Sequence, residues 1–161
     1  MGVPTRRWLG LSGEILKHSE FRQASASTDQ EMLMTEMSKV TYGQELILDL
    51  HDCNDTRFTR AEIERFCTQL CELIDMERCD LHFWDDVGVP DQEQQRDPKT
   101  KGTSAVQFIL TSTIVIHTLD LMQAVYVNIF SCKEFDTDEA AKFTAKWFDS
   151  KDWNATVVVR R

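Results

Sequence analysis

The chain has 161 residues, enough for one domain with a sizeable core, and its 42% hydrophobic and 28% charged content are those of an ordinary globular protein. Eighteen Lys and Arg against 27 Asp and Glu leave a net charge of −9. That balance argues against a nucleic-acid partner and weakly favours a cationic ligand. The longest apolar runs, such as Ile114–Ile116 and Val157–Val159, fall short of the roughly 20 residues that cross a bilayer. Met1–Leu11 has a basic start without the apolar stretch of a signal peptide. Five cysteines (Cys53, Cys67, Cys71, Cys79 and Cys132) form no disulfide framework, so the expectation is a cytoplasmic protein with no membrane partner.

Residues 1–40 mix Ser, Thr, Gln and charged residues without a sustained period and are expected to form an N-terminal extension, mobile or loosely docked, before a domain spanning 41–161. Gln44–His51 alternates: Leu46, Leu48 and Leu50 share one face, opposite Glu45, Ile47, Asp49 and His51, as in a half-buried strand. Asp49 and His51 then belong to a solvated surface or a dimer interface. Thr59-Arg-Ala-Glu62 is a capping box, and Ile63, Phe66, Cys67, Leu70, Leu73 and Ile74 recur at helical spacing, which predicts a helix to about Met76 lying on the leucine face. Cys67, Cys71, Cys79 and His82 lack the paired spacing of a zinc site, and the apolar neighbours of Cys67 and Cys71 make these thiols core hydrophobes; no metal is expected. Cys79–Trp84 reads as a second strand and Asp85–Gly102 as a polar, mobile loop.

Three β segments follow at Ser104–Thr111, Ser112–Leu119 and Ala124–Ser131, then a helix opened by Asp136-Thr-Asp-Glu139 and a last strand at Trp153–Val159. The order β-α-β-β-β-β-α-β predicts an α+β fold, a two-layer sandwich of an antiparallel sheet with both helices on one face.

The chemistry concentrates in two runs, Thr111-Ser-Thr-Ile-Val-Ile-His117 and Asn128-Ile-Phe-Ser-Cys132, which bring a hydroxyl, an imidazole and a thiol into one β-rich region. Ser112 and His117 would face opposite ways on a straight strand, so a bulge or corner is expected between them. Ser112 is followed by His117 five positions later and by Cys132 fifteen beyond that, with Ser104 eight before Ser112 and a Gly43-Gln-Glu-Leu-Ile-Leu-Asp49 opening strand. In these spacings the chain resembles the small bacterial and archaeal type of S-adenosylmethionine decarboxylase, a pyruvoyl enzyme of polyamine and spermidine synthesis, over roughly residues 42–161.

The resemblance implies self-cleavage between Thr111 and Ser112, with His117 and Ser104 assisting and the new pyruvoyl group, made from Ser112, as cofactor. A serine hydroxyl can attack the preceding carbonyl if the chain is bent there and a neighbour manages the proton. Cys132 becomes the proton donor in decarboxylation. The resemblance also implies S-adenosylmethionine as substrate and a homodimer whose subunits share each site.

The chain departs from the family where the nucleoside is held. The family's Thr-Trp-Pro-Glu after the histidine is here Thr118-Leu119-Asp120-Leu121. Asp120 is the expected replacement for the carboxylate, and Phe83 or Trp84 for the aromatic. Thr111 stands where the family has Glu. These departures keep two alternatives open, a pyruvoyl enzyme acting on arginine or ornithine and an unprocessed, non-catalytic homologue acting as a binding dimer.

Overall fold

The structure is a computed structural model and describes residues 41–161, so the expected extension at 1–40 lies outside the described residues. Six strands form one sheet: β1 (Gly43–His51), β2 (Arg78–Trp84), β3 (Gly102–Ile109), β4 (Ser112–Leu119), β5 (Ala124–Ser131) and β6 (Asp152–Arg160). Two helices, α1 (Arg60–Leu73) and α2 (Thr137–Trp147), complete the expected order. The sheet runs β2-β3-β4-β5-β1-β6 with every neighbouring pair antiparallel. The fold is thus the α+β sandwich anticipated from the pattern.

Local chemistry starts both helices. Thr59 caps α1 by accepting from the Glu62 amide at 3.3 Å. Only half of the capping box forms, because the Glu62 carboxylate turns instead to Arg57 and Arg65. Asp136 caps α2 by accepting from the amides of Asp138 and Glu139 at 3.0 and 2.9 Å.

Leu46, Leu48, Leu50, Ile114, Ile116, Val127 and Ile129 form the covered face of the sheet, and all are fully buried. Ile63, Phe66 and Leu70 of α1 pack against this face, while Ala140, Ala141 and Ala145 bring the α2 backbone close. Phe66 lies 5.1 Å from Phe148 and 6.0 Å from Phe143, ring centre to ring centre; its truncation to Ala would cost about 3–5 kcal/mol. Cys67 and Cys71 belong to this core, and burial pushes their thiols up to about 12 and about 11.

The register of β2 shifts between Arg78 and Leu81. The carbonyls freed at Cys79 and Asp80 are met by the fully buried Gln107, whose amide donates to them at 3.0 and 3.2 Å. Its own oxygen accepts from Arg78 at 2.9 Å, and Arg78 reaches on to Thr68 of α1. A polar side chain in the core is thereby fully satisfied.

Candidate active site

β4 carries a reactive group at each end. Its first residue, Ser112, is 6% exposed and belongs to the face covered by the helices, along with Ile114, Ile116 and Thr118. The link from β3 is only Leu110 and Thr111, since Ile109 pairs with Ser112, and Thr111 takes a left-handed backbone with φ 61°. Beside it β5 has just ended. Ser131 folds the chain by donating to the Lys133 carbonyl at 2.7 Å and accepting its amide at 3.0 Å. Gly43 permits this close approach, because a Cβ there would stand 2.1 Å from the Ser131 oxygen.

Cys132 is therefore delivered to the hairpin. Its amide donates to Ser112 Oγ at 3.3 Å, and its Sγ lies 3.8 Å from that oxygen and 3.2 Å from Thr111 Oγ1. The hydroxyl of Thr111, and secondly that of Ser112, favours the thiolate and holds this exposed thiol below its ordinary value.

The other end of β4 presents His117 on the opposite, uncovered face. Cross-strand partners there form a continuous row, Asp49-Tyr126-His117-Ser104-Trp84, spanning five strands. Ser104 Oγ is 2.9 Å from His117 Nδ1. A cavity of about 630 Å³ opens over this row, lined by Trp84, Ser104, His117, Leu119 and Tyr126 and bordered by Asp85, Asp86, Glu93 and Lys99 of the β2–β3 loop. The loop is tied down rather than left as an open chain. Arg60 grips Asp85 with two hydrogen bonds of 2.7 and 2.6 Å, and Lys101 pairs with Asp86 at 2.9 Å. Both carboxyls are held below the usual range by these partners.

One expectation is overturned. β4 pairs with β3 residue for residue from Ser112 to Leu119, with no bulge or corner. Ser112 and His117 thus face opposite sides and stand about 16 Å apart along the strand, at roughly 3.3 Å per residue. The strand has no reason to break, because Ile114, Val115 and Ile116 are all β-formers alternating cleanly between core and open face. Ser112, Thr111 and Cys132 are brought together, as are Ser104 and His117, but the two groups are separate within one chain.

The residues expected to hold a nucleoside also separate. Trp84 lines the cavity and is 82% exposed. Phe83 points to the helix side, under the Arg60 guanidinium at 5.6 Å. Asp120 sits in the turn after β4, outside the cavity lining, and partial burial pushes its carboxyl up against the pull of Lys101. Tyr126 was not anticipated. Its signal was the alternation of Ala124–Ser131, which places Tyr126 on the face of His117.

Comparison with known proteins agrees with this architecture. The crystal structure of the adenosylmethionine decarboxylase from Aquifex aeolicus superposes with a TM-score of 0.59 at 16% identity, covering 74% of this chain and 91% of that one. This likeness defines the class of fold, a two-layer α+β sandwich shared with a decarboxylase. The family model for S-adenosylmethionine decarboxylase matches residues 44–161, and the chain belongs to that family of pyruvoyl-dependent carboxy-lyases of polyamine biosynthesis. No curated protein sequence matches it.

Proposed function

We propose that the protein cleaves itself between Thr111 and Ser112 and then decarboxylates S-adenosylmethionine, supplying the aminopropyl donor for spermidine. The observation that carries this is the hairpin itself: a serine hydroxyl next to a left-handed residue, with a thiol within 3.8 Å. Ser112 Oγ attacks the Thr111 carbonyl carbon, the C–N bond breaks, and the hydroxyl proton ends on the freed amine. Elimination then releases residues 1–111 as a carboxylate, and hydrolysis of the dehydroalanine left at position 112 expels ammonia and makes the pyruvoyl terminus of residues 112–161.

The residues around position 112 fit such a group, since among the described residues Cys132 is the one titratable side chain hydrogen-bonded to Ser112. A pyruvoyl group there supplies an electron sink for an amino acid losing CO₂. Cys132 returns a proton to the carbon that lost it, a role for which its thiol must be protonated.

His117 and Ser104 cannot reach Ser112 in their own chain, so we assign the second copy of a homodimer to bring them there. Ser112 itself lies on the helix side, so such a copy meets it only at the hairpin end, where Thr111 and Cys132 are exposed. The uncovered sheet face supports the homodimer as such. It presents Ile47, Val106, Val115 and Phe130, with Phe108 at 45% and Val158 at 37% exposure, beside the His117 row. Apolar area of this kind favours being covered. With the Ser104 hydroxyl donating to Nδ1, the other ring nitrogen of His117 carries a proton for transfer across such an interface.

The cavity suits a cationic, partly aromatic substrate through Trp84 and Tyr126, whose ring faces take either a cation or an aromatic group. Leu119 in the lining, with Asp120 outside it, favours a second reading in which arginine or ornithine is decarboxylated. Release of CO₂ from each substrate separates the two.

The test is the intact mass of the denatured protein. Two chains, 1–111 and a pyruvoyl-capped 112–161, are expected; a single chain stable for days would leave a non-catalytic binding dimer.

A further inference from the structure

Among the described residues, five other than glycine have left-handed backbones: Asp52, Asp75, Thr111, Gln123 and Asp149. Three of these are aspartates, whose short polar side chains tolerate that conformation. Thr111 alone has a branched Cβ, the kind of residue for which a positive φ is a genuine outlier.

The surroundings pin it there. The Ile109 to Ser112 pairing closes the link behind Thr111, and the Leu110 amide donates to the Glu77 carbonyl at 3.1 Å. On the far side the Cys132 amide holds Ser112 Oγ at 3.3 Å. The strained residue supplies the carbonyl of the bond that the proposed cleavage breaks, and strain persists in a fold only where neighbours over-determine it.

We propose that Thr111 is a positioning residue whose forced left-handed backbone drives the acyl shift. This rests on the self-cleavage reading above. In the peptide, Thr111 is joined directly to the Ser112 nitrogen. In the ester, the link runs through Ser112 Cβ and Oγ, which lengthens the turn and lets Thr111 leave the left-handed region. The C–O bond forms as the C–N bond breaks and the hydroxyl proton moves to nitrogen, so the step is an isomerisation that needs no further reactant. Cleavage therefore draws on the side chain at position 111 through its shape, and the hydroxyl is secondary.

The experiment measures the cleavage rate of freshly refolded full-length chains carrying Thr111→Gly, Thr111→Asn or Thr111→Val. Gly adopts positive φ without penalty, and its rate should fall about tenfold, the factor to which the cost of one left-handed residue converts. Asn should fall between Gly and wild type. Val, which keeps the branch and loses the hydroxyl, should cleave faster than both. In a Ser112→Ala background, where no cleavage intervenes, Thr111→Gly should raise the melting temperature by about 3 °C. A merely structural role for Thr111 would instead lower stability and rate together. Equal rates for Thr, Gly and Asn, or a lowered melting temperature for Gly, would overturn the inference while Ser112-dependent cleavage stands. A wild-type chain that never cleaves removes both.

Discussion

The two ends of β4 divide the chemistry differently. At Ser112 a buried serine adjoins an exposed thiol, at a turn two residues long where the Thr111 backbone is bent the wrong way for its side chain. At His117 the groups lie open on the bare face beneath a loop clamped by Arg60 and Lys101. On the proposed reading the Ser112 end reacts, and the His117 end receives a ligand and moves protons. Since one regular strand separates them, a single chain holds two half-sites rather than one whole site.

That division can be broken most decisively by complementation. His117→Ala and Ser112→Ala chains should each remain uncleaved alone, whereas a mixture refolded together should cleave the His117→Ala chain, which is paired with an intact histidine. No cleavage on mixing would put His117 to work within its own chain or remove it from processing. Next in size, Cys132→Ala should permit processing yet lower turnover about 100-fold. Normal CO₂ release without that thiol would take it out of the mechanism.

At the His117 end, Trp84→Ala should raise KM about fivefold with little change in cleavage, as befits loss of one aromatic surface. An equal loss in processing would mean that Trp84 shapes the interface instead. The smallest effect concerns the loop. Arg60→Ala leaves the Asp85 side chain, 5% exposed, without its partner and should lower the melting temperature by a few degrees. Because Asp85 has a depressed folded pKa, the pair contributes fully above the ordinary carboxylate value and fades as pH falls below it. The wild-type and variant melting temperatures should therefore converge in acid.

Much of this molecule is legible in its residues. β5 has the bounds that its alternation implies, and both helices begin at their capping residues, because those signals are local. Boundaries slip where the chain turns or a tertiary partner intervenes: α1 ends at Leu73 rather than near Met76, with Asp75 turning left-handed, and β2 begins at Arg78, which Gln107 and Thr68 hold. The grouping of Thr111, Ser112 and Cys132 was readable as spacing. Its separation from His117 was readable as strand parity, although a bend was expected in its place. The clamp of Arg60 on Asp85 joins residues 25 apart and leaves no trace in a local pattern, so the loop looked mobile. The cavity is likewise a product of sheet and loop meeting: the alternation of β5 puts Tyr126 on its face, whereas Glu93 has no neighbouring motif that announces it.

The strand order bears on what becomes of a cut chain. Severing residue 111 from 112 would leave β1, α1, β2 and β3 in one fragment and β4, β5, α2 and β6 in the other. The sheet interleaves them, for β1 of the first fragment lies between β5 and β6 of the second, while β3 remains zipped to β4. The fragments are interlocked and cannot dissociate while the sheet is intact. Once melted, however, they would have to find each other by diffusion, without the linking turn that first guided them. Maturation would therefore make folding a one-way event, with the active protein dependent for its lifetime on the slowness of its unfolding.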